Sequence, residues 1–394
     1  MSGLLTGVRV LDLSRILAGP WATQFLADLG ADVVKVEKPG EGDDTRRWGP
    51  PFLTAPDGCA SAESAYFLAA NRGKRSIAID FTQPDGQQLV RQLAAQADVV
   101  VENYKVGALA RYGLGFDQLK AVKLDLIYCS ITGFGQTGPD ADKAGYDAMI
   151  QARGGLMSLT GVADGEPGAG PVKVGVAVCD LMTGMYAASA ICAALYRRQV
   201  SGEGEYIDLA LLDTQVAWLA NQGMNYLVGG TVPVREGSAH PNIVPYQAMP
   251  ASDGEFMLAV GNDGQFRQFC QVAGAPALAD DARFTRNADR VRHRQVLLPL
   301  LQELTRRQRR DWWLAELAAV GVPAGPINDL AQVFADPQVQ ARNGRVELPH
   351  PLGGTVSHLN NPLKLSQHPI CLQRSAPLLD GDRAAVLQDW LAPR

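Results

Sequence analysis

The residue in this chain best placed to do chemistry is Asp180. It closes the run Val174-Gly175-Val176-Ala177-Val178-Cys179-Asp180, and Leu181-Met182-Thr183-Gly184-Met185 opens a helical stretch behind it. A lone carboxylate among apolar and small residues needs a reason, and two are open. At a helix start, free N–H groups and the positive dipole end favour an ionised Asp by roughly 0.3–1 kcal/mol, which makes Asp180 a cap. Alternatively it is a nucleophile, ionised yet poorly solvated at the edge of a cleft. Local sequence alone favours the cap.

Cations form the second group. Lys35, Lys38, Arg46, Arg47, Arg72, Lys74, Arg75, Lys105, Arg111 and Lys143 fall in loops near predicted strand ends. Ligands of open α/β sheets bind at such ends, and phosphates need such charges. Most of these cations read as solvated surface; a few gathered around one phosphorylated ligand is the sharper expectation. Other chemistries lack their residues. The first predicted strand runs into Ser14-Arg15-Ile16-Leu17-Ala18-Gly19-Pro20 rather than G-x-G-x-x-G, so a pyrophosphate has no glycine turn to approach. There is no P-loop, no G-x-S-x-G elbow and no H-E-x-x-H pair. Cys59, Cys129, Cys179, Cys192, Cys270 and Cys371 form no CxxC pair and do not cluster with the five histidines. That predicts reduced thiols, no metal and a cytoplasmic protein.

The elements that must position these residues alternate. Apolar runs predict strands over Val8–Leu13, Asp32–Glu37, Ser76–Phe81, Asp98–Glu102, Leu126–Ser130 and Tyr206–Leu212. Helices are predicted over Trp21–Leu29, Gln83–Gln96 and Thr214–Leu227. The apolar stretch behind Asp180 predicts a buried helix ending in Arg197-Arg198 before Gly202. This is the pattern of a Rossmann-like open parallel sheet with helices on both faces. Composition shifts after Gly229-Gly230, so residues 1–228 are expected to form the large domain and 229–328 a smaller α+β domain. Residues 329–394 return to the large one, with Val322-Pro323-Ala324-Gly325-Pro326 as the linker. At 394 residues, 46% apolar and 20% charged, the chain is an ordinary globular protein with ample core. Its net charge of −5 argues against nucleic-acid or membrane-surface binding, and Arg306, Arg307, Arg309 and Arg310 read as a solvated helix face. The opening Met1 to Gly7 leads directly into a strand, which predicts no signal segment. No apolar run is expected to reach the ~20 residues of a bilayer span.

The motifs, taken together, resemble a family. Leu11-Asp12-Leu13-Ser14-Arg15-Ile16-Leu17-Ala18-Gly19-Pro20 is similar to its opening signature. It is followed in order by Gly30-Ala31-Asp32-Val33-Val34-Lys35-Val36-Glu37, Gly42-Asp43-Asp44-Thr45-Arg46 and Asn71-Arg72-Gly73-Lys74-Arg75-Ser76. Val101-Glu102-Asn103-Tyr104, Gly133-Phe134-Gly135-Gln136-Thr137-Gly138-Pro139 and the Asp180 segment complete the set. These resemble the class III CoA-transferases, the CaiB/BaiF family, from Gly7 to the C-terminus. The resemblance implies that family's fold, an interlocked homodimer, and a carboxylate at Asp180 that forms acyl-aspartyl anhydride and aspartyl-CoA thioester intermediates. Such chemistry demands an ionised Asp180, near the ordinary ~3.9 or not far above, and exclusion of water. CoA enters as a substrate, with no tightly bound cofactor and no metal.

By the same resemblance, CoA contacts fall at Leu17, Ala18, Lys38, Ile79, Asp80, Phe81, Thr82, Asn103, Tyr104, Arg111, Lys143 and Tyr146. The formyl-CoA branch of the family carries Gln, Arg and Lys where this chain has Leu17, Lys38 and Thr82, and Arg72, Lys74 or Arg75 are the expected substitutes. That branch also closes its site with a glycine-rich loop, replaced here by Gly237–Gln247, which disfavours formyl or oxalyl specificity. The runs Thr45–Phe52, Tyr128–Gly133 and Asn242–Gln247 look most like the succinyl-CoA:glutarate branch. A second substrate carboxylate then needs donors, for which Arg46, Arg47 and His240 are the candidates. Two alternatives stand beside transfer. An α-methylacyl-CoA racemase would need a histidine where this chain has Tyr146, whose phenol, near pKa ~10, is a poor base. A non-catalytic CoA-binding protein would keep Asp180 only as a cap.

Overall fold

The computed structural model describes residues 3–55, 57–370 and 372–392. The first eight strands are β1 (Arg9–Asp12), β2 (Asp32–Glu37), β3 (Phe52–Thr54), β4 (Ala60–Ser64), β5 (Arg75–Ala78), β6 (Val99–Glu102), β7 (Ile127–Thr132) and β8 (Glu205–Ala210). Six of them make one parallel sheet in the order β5-β2-β1-β6-β7-β8, and β3 and β4 pair as a hairpin. Numbered among themselves, the six run 3-2-1-4-5-6, the doubly wound order, and the winding reverses between β1 and β6.

The strands are apolar throughout because both faces are covered. On one face Val10, Val33, Val99, Val101 and Ile127 pack with helices Ala18–Asp28 and Val178–Ser201. On the other, Leu11, Val34, Ile77, Val100 and Tyr128 meet helices Pro84–Gln96 and Arg383–Leu391 through Val90, Leu93, Val386 and Trp390.

Helices Ala18–Asp28 and Val178–Ser201 approach closely because residue 184 is glycine. A Cβ there would lie 2.7 Å from the Ala18 carbonyl oxygen and 3.1 Å from the Trp21 side chain. Asp180 is one turn before Gly184 and so shares its helix face. This packing brings Asp180 to the start of helix Ala18–Asp28. The long helix ends at Gly202, whose left-handed φ of 72° lets its N–H close on the Arg198 carbonyl.

Several expectations change. The long helix begins at Val178, so Asp180 is inside its first turn rather than ahead of it. It is also long and apolar enough, at 24 residues and mean hydropathy 1.5, to cross a membrane by length and composition. It is not buried all round: Cys179, Thr183, Ala187, Ala188 and Ile191 face the core, while Tyr186, Tyr196 and Val200 are exposed. β8 stops at Ala210 because Leu211 starts a helix. The single helix expected to Leu227 is two, Leu211–Ala217 and Ala220–Gly229, separated where Ala220 takes φ 44°.

The chain divides into two compact units. The first runs to Leu156, resumes over Lys173–Gly230 and returns from Pro337; the second holds Met157–Val172 and Thr231–Asp336. Met157–Val172 thus belongs with the second unit, not with the large domain. The second unit has its own antiparallel sheet, β9 (Tyr246–Ala251), β10 (Gly254–Ala259) and β11 (Ala324–Pro326), in the order β11-β10-β9. Phe256, Leu258, Phe266, Phe269 and Trp313 fill its core. The expected linker is therefore an edge strand, since Ala324 and Gly325 pair with Leu258 and Met257. In the returning segment of the first unit, β12 (Arg345–Pro349) and β13 (Thr355–Leu359) form a hairpin. The cysteines other than Cys371, which lies outside the described residues, are free thiols.

Candidate active site

A doubly wound sheet opens a crevice where its winding reverses, at the carboxyl ends of the two central strands. Here those ends release the loops Ser14–Leu17 from β1 and Asn103–Val106 from β6. One side chain ties the two loops together. Asn103 accepts the Arg15 N–H at Oδ1 (2.8 Å) and donates from Nδ2 to the Arg15 carbonyl (2.7 Å). Beside this bridge lies a cavity of about 220 Å³ whose lining includes Leu17, Ala18, Asn103, Tyr104, Lys143 and Tyr146, together with Asp180.

The capping function assigned to Asp180 as one of its two readings is performed by another residue. The N-cap of the long helix is Ala177, which has no side-chain bond to offer. Asp147, at the start of helix Asp147–Arg153, accepts the Cys179 N–H at 2.8 Å and holds Gln151 Nε2 at 2.7 Å. The turn is fixed further by Thr183 Oγ1 donating to the Cys179 carbonyl (2.6 Å) and by the Cys179 thiol donating to Gln215 Oε1 (2.9 Å). The carboxylate of Asp180 is left with no ion pair and no hydrogen bond among the described residues. Burial, and then the negative charge of Asp147, push it up to about 7. That is well above the expected value near 3.9. A carboxylate held there is partly protonated at neutral pH, and as an anion it is more basic than an ordinary Asp.

The remaining predicted contacts separate into groups. Lys38, Ile79, Asp80, Phe81 and Thr82 line a second cavity of about 360 Å³, and Arg15 and Tyr104 line both cavities. Arg47 also lines the second cavity, exposed and paired with Glu41 at 3.2 Å; Lys38 pairs with the same Glu41 at 2.5 Å. Arg111 is exposed on the turn Ala110–Tyr112, whose Tyr112 reaches that cavity.

Arg46 departs from its expected role as a substrate donor. Its guanidinium is buried and every nitrogen is engaged: Nε and Nη2 with Glu37, Nη1 with both oxygens of Glu63, and Nη2 again with the Pro377 carbonyl. The expected phosphate substitutes are likewise committed. Arg72 is bound to Asp28, Lys74 to Asp12, and Arg75 to Asp32 and Asp389. His240 belongs to the second unit, where its ring packs edge-on against Tyr246 and its Nδ1 accepts the Asn242 N–H.

Sequence reasoning passed over Arg15 and Asp147, and placed Lys105 only among the cations near strand ends. Arg15 stands over the Tyr104 ring at 5.5 Å and pairs with Asp44 at 3.2 Å, and Lys105 lines the Asp180 cavity. The available signal was adjacency, since Arg15 precedes Ile16-Leu17, Lys105 follows Tyr104, and Asp147 follows Tyr146. Among the described residues, no three His, Cys, Asp or Glu side chains gather as a metal cluster.

Comparison with known proteins gives one family along nearly the whole chain. The profile of CoA-transferase family III matches residues 5–383. The sequence is 51% identical over 385 residues to the succinate–glutarate CoA-transferase of Agrobacterium fabrum, covering 98% of this chain and 95% of that one. It is 43% identical over 387 residues to the succinyl-CoA:glutarate CoA-transferase of Homo sapiens, covering 98% and 86%. A solved CaiB/BaiF family protein from Brucella suis superimposes with a TM-score of 0.86 at 51% identity, over 99% of this chain and 100% of the other. A doubly wound sheet without dinucleotide glycines, a carboxylate freed from capping, and matches of this extent lead to one assignment: the chain belongs to family III of the CoA-transferases, the CaiB/BaiF family, and is an enzyme for which CoA is a substrate.

Proposed function

We propose that this enzyme moves CoA from succinyl-CoA, or another dicarboxylyl-CoA, to a glutarate-like dicarboxylate through covalent intermediates on Asp180. The observation that carries the reading is the state of Asp180: no partner, poor solvation, and a cavity shared with both loops of the crevice. Ionised Asp180 attacks the thioester carbonyl, giving an acyl-aspartyl anhydride and CoA thiolate. The thiolate attacks the aspartyl carbonyl, releasing the first acid and leaving an aspartyl-CoA thioester. The incoming carboxylate displaces the thiolate to form a second anhydride, and the thiolate then takes the new acyl group and frees Asp180.

Each step exchanges a carboxylate for a thiolate, whose ordinary pKa is ~8.5. A carboxylate raised to about 7 lies closer to that leaving group than an ordinary Asp does, so the first anhydride is less uphill. In this reading the CoA nucleotide occupies the larger cavity, with Lys38 and Arg47 near its phosphates, and the pantetheine arm passes along Arg15 and Tyr104, which line both cavities, toward Asp180. With Arg46 buried and committed elsewhere, the cations lining the Asp180 cavity are Lys105, Arg15, which pairs with Asp44, and Lys143, which pairs with Asp140. A distal carboxylate would recruit Lys105 or exchange for one of those two partner carboxylates. The choice of succinyl and glutarate rests on the relatives rather than on the cavity. Tyr146, 59% exposed and beside Asp180, gives the racemase reading no imidazole.

We further propose a cytoplasmic homodimer. Helix Ala220–Gly229 has no buried residue although it carries Met224, Tyr226, Leu227 and Val228, and Tyr196 and Val200 of the long helix are exposed as well. A second copy of the chain, interlocked with the first, would cover such faces.

Incubation with succinyl-CoA and a panel of carboxylic acids, followed by mass spectrometry of the CoA esters, tests the function. New esters from dicarboxylates, absent with Asp180→Ala, are expected. No exchange with any acid, or α-proton exchange on a 2-methylacyl-CoA, would contradict it.

A further inference from the structure

Ile16 lies in the left-handed region, with φ 68°. A β-branched residue stays there only when its surroundings hold it, and such residues gather where geometry matters. The holding group is Asp43, whose two carboxylate oxygens accept the Ile16 N–H at 3.2 and 3.3 Å. Asp43 is 3% exposed, and Lys35, 1% exposed, lies 2.9 Å from it. The same Lys35 ammonium donates to the Ser14 carbonyl at 2.8 Å, and Asp12 accepts the Ser14 N–H at 3.0 Å. With Asn103 on both sides of Arg15, the backbone groups from the Ser14 N–H to the Ile16 N–H are each held by a side chain rather than by another backbone.

A simpler reading is that Asp43 merely caps the short turn Asp44–Arg47, for which it accepts the Thr45 N–H. That cap needs one oxygen and no lysine. It does not explain why the same carboxylate reaches back to Ile16. The segment it holds lines both cavities and leads into helix Ala18–Asp28, whose start has no side-chain cap. If Ile16 relaxed to negative φ, Arg15, Leu17 and Ala18 would turn relative to Asp180.

We propose that Asp43 is a positioning residue: by keeping Ile16 left-handed it presents Arg15–Ala18 to the acyl-CoA beside Asp180. The proposal rests on the reading of that cavity as the reaction site.

A double-mutant cycle tests it, because glycine takes the left-handed conformation without the Cβ clash and needs less holding. Asp43→Asn in the Ile16 chain is expected to raise the KM for succinyl-CoA, and the Kd for CoA, by about tenfold with a smaller change in kcat. In the Ile16→Gly background the same change should act by about threefold or less. An equal factor in both backgrounds would overturn the proposal. Should Asp43→Asn fail to fold, amide exchange on the wild-type enzyme still decides. The Ile16 amide should exchange as slowly as those of β1, and fast exchange there contradicts the proposal. CoA binding is read independently of transfer, so an enzyme that binds CoA but acylates no acid defeats the functional reading and leaves the cycle intact.

Discussion

Two sets of charges border the same loop. Around Ser14–Leu17, Asp12, Lys35, Glu37, Asp43, Arg46 and Lys74 are buried and each has an opposite charge in contact. Burial works to raise Asp12, yet Lys74, Lys35 and the hydroxyls of Ser14 and Thr23 bring it down to about 2. Burial likewise brings Lys74 down, but only to about 8, because Asp12 faces it. At the cavity, Asp180 is less completely buried than Asp12 but has no partner, and rises to about 7. The paired network keeps fixed charges and fixes geometry; in the proposed reaction the unpaired carboxylate is the group that reacts. On that reading, pairing distinguishes a charge that holds from one that reacts.

The comparison breaks first at Asp180. Asp180→Asn is expected to lower transfer by about 10⁴-fold or more, as for removal of a covalent nucleophile. It should also stabilise the fold at the right pH. The folded value of about 7 exceeds the ordinary 3.8, so the folded state binds the extra proton and stability falls as pH rises between them. Asparagine removes that loss, so Tm should rise at about pH 8 and stay nearly unchanged at about pH 4. A nucleophile whose removal destabilises the protein at both pH values would not be an uncompensated charge.

On the paired side the expected result has the opposite sign. Lys74→Met strands Asp12 and should cost about 3–5 kcal/mol in urea unfolding. A cost under about 1 kcal/mol would show that the paired network does not hold the loop. Where the two regions meet, Gly184→Ala presses a methyl on the Ala18 carbonyl and moves the loop against Asp180. A displacement approaching 1 Å lowers kcat/KM by about a hundredfold, measurable with succinyl-CoA. The gentlest change is Asp147→Asn, which keeps an acceptor for the Cys179 N–H and removes the charge that helps raise Asp180. The acid limb of kcat/KM, expected near 7 in the wild type, should then move to lower pH. An unmoved limb means that Asp147 acts only as a cap.

Legibility in the sequence followed the range of the forces. The strands could be read because a sheet covered on both faces needs unbroken apolar runs, and β2 was located at Asp32–Glu37 from such a run. The cavity residues Leu17, Ala18, Asn103, Tyr104, Lys143 and Tyr146 came from ordered motifs and do converge with Asp180. The start of the long helix could not be read, because its cap, Asp147, is 32 residues from the Cys179 N–H it serves. Capping rules look only a few residues along the chain. Arg46 failed as a substrate donor for a related reason. Exposed and buried arginines look alike in sequence, and only the fold shows Glu37, Glu63 and Pro377 closing around this one. β11 was concealed by prolines at Pro323 and Pro326, which mark a linker as readily as an edge strand.

The central claim is that the acyl carboxylate and Asp180 share an oxygen during transfer. Glutarate carrying heavy oxygen in its carboxylates, incubated with succinyl-CoA and the enzyme, should leave heavy oxygen on the peptide containing Asp180. The bridging oxygen of the second anhydride stays with Asp180 when the thiolate takes the glutaryl group. Label at Asp180 appearing with glutaryl-CoA is the predicted result; glutaryl-CoA formed while that peptide stays unlabelled would contradict the account.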